Sequence, residues 1–292
     1  MSQGYQPRLD LDVELEYGGC RLREVAARSI LAPSRLADYC VNPYAGCEHG
    51  CVYCYARSAT RFSHPQEEWG SFVDVRGNAL SLIAREAARK RPGRVFISSL
   101  CDGWQPVEAR YALTRRCIEV LLRHGFSLRI HTKSTLVARD FDLLGGHPSI
   151  ELGMTITTLE PKVAALFEPG ASPPPERVDV LRRAQHLGIP VFVFLAPLLP
   201  LISDRGEGLA ALFDMVRELG PDYVLADRLN PRYGMWPTVR SALEKHDPAL
   251  VPEYHRLLYD HRTGEQYTAD LRRRVTLEAG RHGLLDRLRL VC

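Results

Sequence analysis

Residues Asn42–Arg57 read NPYAGCEHGCVYCYAR, and Cys47, Cys51 and Cys54 stand in C-x3-C-x2-C spacing. A structural zinc site takes four protein ligands, and no second Cys/His pair follows at finger-like spacing. His49 lies inside the triplet as a candidate fourth ligand, but wedged between ligating cysteines it makes a strain-free tetrahedron awkward. Three thiolates instead suit an iron–sulfur cubane with one iron left open. Sulfur ligands favour such clusters, and an open metal position marks a catalytic site. Gly46 and Gly50 let the loop wrap closely around an inorganic core. Zinc, or three simply buried cysteines, are the competing readings.

Outward from this loop the chain alternates. Short β-branched runs at Arg94–Ser98, Ser127–His131, Ile150–Thr157, Pro190–Phe194 and Tyr223–Ala226 read as strands. Segments of helical spacing lie between them, at Asn78–Lys90, Ala109–His124, Glu176–Leu187 and Gly208–Leu219. In the second of these, Leu113, Cys117, Val120 and Leu121 share a face. With a first strand at Ala37–Asn42, the pattern predicts parallel strands joined by right-handed crossovers. The fold class is therefore α/β, a partial (β/α)6 TIM-like barrel with a helical C-terminal extension. Its chemistry belongs at the C-terminal ends of the strands. The expected divisions are an N-terminal segment (1–36), the barrel (37–228) and the extension (229–292), helical through Leu288 and packed on the barrel.

Hydrophobic residues at 45% and charged residues at 25% are ordinary for a soluble globular enzyme. There is no apolar run of membrane-spanning length, and Met1–Glu16 is polar and acidic, without the apolar core of a signal peptide. A cytoplasmic protein is expected, with its eight cysteines reduced. Residues 228–292 carry 12 Lys and Arg against 8 Asp and Glu, a net of +4, whereas the remainder nets −1. The basic tail is either a solvated helical face or a polyanion-binding surface.

The cysteine spacing after a first strand, with Tyr53 before the last cysteine, resembles the signature of the radical S-adenosylmethionine (SAM) superfamily. The wider stretch resembles its spore photoproduct lyase-like (DNA repair photolyase-like) branch. Further similarity lies in Cys101–Glu108 (CDGWQPVE), Leu113-Thr114-Arg115, Thr132-Lys133-Ser134, Arg139-Asp140 with Leu143-Leu144, Phe167-Glu168-Pro169 and Arg177. It spans about residues 38 to 232. The resemblance implies a [4Fe-4S] cluster on Cys47, Cys51 and Cys54 whose open iron chelates SAM. One electron then releases a 5′-deoxyadenosyl radical that abstracts hydrogen from substrate. It also implies an electron donor: a reductase, flavodoxin or ferredoxin. Cys101 and Gly103-Trp104 depart from the branch, which has Thr and Pro-Tyr there.

On that resemblance, Lys133 either pairs with the SAM carboxylate or is a surface cation. Ser98, Ser99, Thr155 and Thr157 sit at strand ends, where they either hydrogen-bond SAM or cap turns. Asp102 and Glu108 bind ribose or anchor loops; Tyr53 and Tyr55 flank the cofactor. Cys101 is the candidate catalytic hydrogen donor, as a cysteine in roughly this region serves the lyase, or an ordinary core residue. Arg228, Asn230, Arg232, Tyr233 and Trp236 form a candidate substrate surface for phosphates and bases, for a peptide or for a small anion. Otherwise they pack the junction to the C-terminal helices. Cys117 reads as core, and Cys20, Cys40 and Cys292 show no ligand spacing. Three functions follow: a radical enzyme acting on a nucleic-acid lesion, one modifying a peptide or metabolite, and a zinc-dependent binding module without catalysis.

Overall fold

The computed structural model describes residues 14–17 and 19–291, so Cys292 lies outside the described residues. Twelve strands are described: β1 (Glu14–Tyr17), β2 (Cys20–Val25), β3 (Leu31–Pro33), β4 (Tyr39–Val41), β5 (Tyr44–Ala45), β6 (Phe72–Arg76), β7 (Arg94–Ile97), β8 (Ser127–Thr132), β9 (Ile150–Thr155), β10 (Val191–Leu198), β11 (Tyr223–Arg228) and β12 (Leu288–Leu290).

Six of them, β4 and β7 to β11, pair in parallel, each beside its predecessor. This is the expected α/β partial barrel. β3 closes one edge antiparallel to β4, and β12 lies parallel to β11 at the other. No pairing joins β3 to β12 among the described residues, so the sheet stays open. A second sheet of order β1-β2-β6-β5 joins two strands that precede β4 to two from the β4–β7 connection, and the strand runs read from the sequence did not include it.

The crossover helices follow the apolar spacing. Ala79–Ala87 buries Ala79, Leu82, Ile83 and Ala87. Leu113–Arg123 buries Leu113, Cys117, Ile118 and Leu121, and half-buried Val120 packs against the same core. Pro174–His186 starts on proline, whose missing N–H costs nothing there. Gly206–Leu219 ends on Gly220 at φ +62°, where glycine accepts the left-handed conformation without strain. After β11 come helices Trp236–His246, Leu250–Tyr259 and His261–Arg281. The extension is helical, but not through Leu288. Gly283 turns the chain at φ +68°, and the freed residues return as β12, too short for its period to show in sequence.

Along β8, burial alternates. Leu128 and Ile130 enter the main core with Val95, Ile97, Leu152 and Val193. Arg129 and His131 point the other way, into the concave side. There His131 meets the rings of Phe96, Phe192 and Phe194. The Arg129 guanidinium lies 4.9 Å from the Phe192 ring, and Phe192 stacks on Tyr223 at 4.9 Å. Gly153 on β9 makes room for this stack, because a Cβ there would stand 2.1 Å from Phe192 ring atoms. Gly153→Ala should therefore destabilise the protein by about 1–3 kcal/mol through overpacking. Urea denaturation checks this, and a midpoint equal to the parent's would contradict it.

Candidate active site at the cysteine loop

The cysteine loop leaves β5 beside the C-terminal end of β4. Gly46 turns it at φ +84°, where a Cβ would meet the Phe72 carbonyl oxygen at 2.4 Å. The amides of Gly50 and Cys54 donate to the carbonyls of Cys47 and Cys51 at 3.2 and 3.1 Å, so each interval between cysteines is a tight turn. Cys47 and Cys51 are buried and Cys54 is half-buried. Burial pushes all three thiols up, Cys51 to about 12. At Cys54 the amides of Ala56 and Arg57 and the Lys133 charge oppose the rise. Such thiols release their protons when a metal supplies the positive charge that burial withholds.

Neighbouring segments clasp the loop. Gln105, fully buried, donates Nε2 to the Gly46 carbonyl at 3.2 Å and accepts from the Glu48 amide at 2.9 Å. Glu48 accepts from the Val107 amide at 2.6 Å. From the opposite side, the Val52 amide donates to the Phe167 carbonyl at 3.0 Å, and the Gly170 amide to the His49 carbonyl at 3.0 Å. Thr238 Oγ1 donates to the Val52 carbonyl at 2.8 Å, and Arg57 Nη1 donates to the Gly234 carbonyl at 2.9 Å. The C-terminal extension thus buttresses the loop.

Asp102 is the hub between this loop and the barrel. Its carboxylate accepts from the Trp104 amide (2.9 Å), Thr132 Oγ1 (2.7 Å) and the Lys133 amide (2.8 Å), and His49 Nδ1 lies 3.5 Å away. Burial opposes the charge, but His49 and these donors hold Asp102 below the usual carboxylate range. Burial pushes His49 below its ordinary value, and the neighbouring Asp102 charge opposes that fall. Glu108 also anchors loops: fully buried, it accepts from Tyr44 Oη and from the Thr114 and Arg115 amides.

A second buried group joins the loop to the end of β9. Tyr53 Oη and Thr157 Oγ1 donate to Glu168 Oε1. Arg177 reaches Glu168 Oε2 at 2.5 Å and donates to the Thr155 and Ser172 carbonyls. Burial again opposes the charge, and Arg177, then Lys133, hold Glu168 below its ordinary value. Lys133 Nζ lies 5.8 Å from the Tyr53 ring centroid and makes no hydrogen bond among the described residues. Burial would lower its pKa, yet Cys51 and Glu168 raise it, so it is an ammonium facing the loop.

The remaining expected residues divide. Ser99 is tied to Asn42, whose Oδ1 accepts from the Ser99 and Leu100 amides at 2.7 and 2.8 Å. Ser98 is buried, and its side chain interacts with the Cys101 thiol. Thr155 Oγ1 pairs with His131 Nε2 at 2.8 Å; burial, then Lys133, lowers His131 to about 3. Tyr55 stays half-exposed with its hydroxyl donating to the Ser99 carbonyl. Cys101 packs beside Cys54 on the apolar patch of Cys47, Ala56, Trp69 and Phe72. Burial, then Asp102, pushes its thiol to about 12, so it keeps its hydrogen at neutral pH.

The five residues of the expected substrate surface do not form one surface. Arg228 donates to Asn230 Oδ1 at 2.9 Å and Thr268 Oγ1 at 2.7 Å. Asn230 in turn bonds Asp227. Trp236 packs edge-on against His255 and Tyr259. These three knit the junction to the C-terminal helices. Arg232 and Tyr233 remain exposed, with Arg61 lying 5.3 Å from the Tyr233 ring and 4.5 Å from the ring of exposed Phe62. Gln105, Glu168 and Arg177 lay within segments already matched to a family but carried no assigned role. Trp69 and His131 gave no signal beyond their residue type.

The family model of the radical SAM superfamily matches residues 41–213. This chain belongs to the radical SAM superfamily. Among curated relatives, an uncharacterized protein of Methanocaldococcus jannaschii is 33% identical over 183 residues, 62% of this chain and 69% of that protein. One from Mycobacterium bovis is 29% identical over 254 residues, 83% and 75% of the two chains. Among solved structures, spore photoproduct lyase complexed with dinucleoside spore photoproduct matches with TM-score 0.65 at 17% identity. That match covers 92% of this chain and 81% of that one, and it is a likeness of fold.

Radical SAM membership implies a [4Fe-4S] cluster and SAM, and the residues fit both. The donor set is three thiols on one clasped loop, while His49 is committed to Asp102. Beside them stand an ammonium, Lys133, and one buried donor without a partner among the described residues, Trp69 Nε1. Among the described residues no three His, Cys, Asp or Glu side chains converge on one metal ion. A cubane asks for a different arrangement, one thiolate per iron.

Removing Arg177 leaves Glu168 buried and short of its main counter-charge. Arg177→Met should cost about 3–5 kcal/mol, and adding Glu168→Met should restore part of it. Because the folded pKa of Glu168 is depressed, its contribution is complete above about 4.3, the unfolded glutamate value. It is lost as pH falls through the lower folded value. Denaturation at pH 7 and pH 3 checks both; a single variant as stable as the parent at pH 7 would contradict the account.

Proposed function

We propose that this radical SAM enzyme holds one [4Fe-4S] cluster on Cys47, Cys51 and Cys54 and acts as a lyase on a nucleic-acid lesion. The observation that carries the reading is the three-thiol loop, clasped at the C-terminal end of the parallel strands within the family-matched segment. With the cluster and SAM bound, the site supplies a carbon radical able to take hydrogen from a substrate.

The chain's own residues do the positioning. Lys133 offers its ammonium to the SAM carboxylate. Ser98, Ser99, Thr155 and Thr157 line the strand ends for its polar groups, and Tyr53 and Tyr55 flank them. Asp102 holds Thr132 and Lys133 in place. Cys101, half-buried beside Cys54 and still carrying its hydrogen, is the proposed donor to the product radical. Residues 37–228 form the catalytic unit, after the N-terminal segment 1–36, and 229–292 support it. The seven described cysteines are all free thiols, which suits a reducing cytoplasm and a reductase, flavodoxin or ferredoxin as electron source. Among the described residues no helix is long and apolar enough to cross a membrane.

The nucleic-acid substrate draws support from the fold shared with spore photoproduct lyase and from Arg61, Arg232 and Tyr233 standing exposed beside the loop. A phosphate chain with stacking bases fits such side chains. The departure at Gly103-Trp104 does not argue for a peptide or metabolite instead. Trp104 is fully buried and donates to Asp140 at 2.7 Å, so it fills core away from any substrate.

The test is anaerobic incubation of the reconstituted protein with SAM, dithionite and ultraviolet-damaged oligonucleotide, followed by product analysis. Restoration of undamaged bases is expected. Cys101→Ala should still cleave SAM while losing restored product by 10-fold or more, on the order of a lost general proton or hydrogen donor. SAM cleavage with neither DNA retention nor lesion processing would overturn the assignment of substrate.

A further inference from the structure

Trp69 stands in the turn before β6. Its indole Nε1 is buried and has no hydrogen-bond partner among the described residues, and the residue is 8% exposed. A buried indole N–H is normally satisfied, and leaving one unpaired costs about 1–3 kcal/mol. The ring packs with Cys47, Ala56 and Phe72, with Cys54 and Cys101 at the edge of the same patch. It meets Phe72 edge-on at 6.2 Å. The Trp69-Gly70 backbone runs beside the loop: a Cβ on Gly50 would lie 3.8 Å from the Trp69 carbonyl oxygen and 3.6 Å from the Gly70 Cα. The other described tryptophans are engaged elsewhere, Trp104 with Asp140 and Trp236 with His255 and Tyr259. Trp69 therefore brings a spare donor to a patch that carries the sulfurs of Cys47, Cys54 and Cys101, while His64, stacked on the far member Phe72 at 3.9 Å, is engaged with Asp74.

We infer that the Trp69 indole N–H donates a hydrogen bond to a sulfur of the iron–sulfur cluster and thereby raises its reduction potential. This rests on the reading of the loop as a cluster site. Reduction by one electron adds negative charge to the cluster sulfurs, and a fixed N–H dipole aimed at one of them favours the reduced state. Hydrogen bonds to sulfur are among the factors that set such potentials. Trp69 is on this account a positioning and tuning residue: it touches the cluster and does not touch substrate.

The experiment uses the full chain, labelled with 15N in tryptophan, reconstituted without oxygen and reduced with dithionite. Pulsed electron paramagnetic resonance should detect an indole 15N coupled to the reduced cluster. The coupling should vanish in Trp69→Phe and persist in Trp236→Phe. Potentiometric titration should place the Trp69→Phe midpoint below that of the parent at equal iron load. An uncoupled parent cluster, or an unchanged midpoint in the variant, overturns the inference and leaves Trp69 bonded to a buried water. If Trp69→Phe fails to load, the coupling in the parent decides alone. A parent protein that binds no iron and sulfide overturns instead the cluster reading on which the inference rests.

Discussion

A loop carrying three thiols at the edge of a sheet holds its shape only if its own backbone groups find partners outside it. Gln105 meets this constraint most directly, bonding the Gly46 carbonyl and the Glu48 amide from a fully buried position. The Phe167–Gly170 turn and Thr238 satisfy the far side. Each of these partners comes from a different crossover or from the C-terminal helices, so the loop is fixed by the whole barrel rather than by local turns. An unpaired buried amide costs about as much as a lost hydrogen bond, and several such pairings accumulate into a rigid frame.

The charges around the loop obey the same logic. Asp102 and Glu168 are both buried, and both remain ionised because donors and cations surround them. Each links the loop to a strand end, Asp102 to β8 and Glu168 to β9. Lys133 sits between them as a cation with no hydrogen bond among the described residues. In a low-dielectric setting such a group attracts an anion strongly, and the position suits an amino-acid carboxylate next to the thiols.

Much of this was legible in the sequence, because it is periodic or local. Five of the six parallel strands announce themselves as β-branched runs, and the crossover helices as apolar faces. The cysteine triplet's spacing and its surrounding residues carry the resemblance to the radical SAM superfamily, whose model matches residues 41–213. The β1-β2-β6-β5 sheet was hidden because its pairing is tertiary: β2, before the barrel, lies beside β6, from beyond the cysteine loop. β12 was hidden because three residues carry no period. The division of Arg228, Asn230 and Trp236 from Arg232 and Tyr233 depends on which side chains meet the His261–Arg281 helix, a tertiary fact. The bonds of Gln105 to the loop and the unpaired indole N–H of Trp69 are visible only when the buried atoms around the loop are paired one by one.

The content of the loop decides the chemistry. The full chain, reconstituted without oxygen, should bind about four irons with matching sulfide, as expected of a single cubane. With dithionite and SAM it should form 5′-deoxyadenosine, and Cys51→Ala should lose both. A protein that binds stoichiometric zinc with no iron or sulfide, or a cluster that leaves SAM intact, would contradict the central claim.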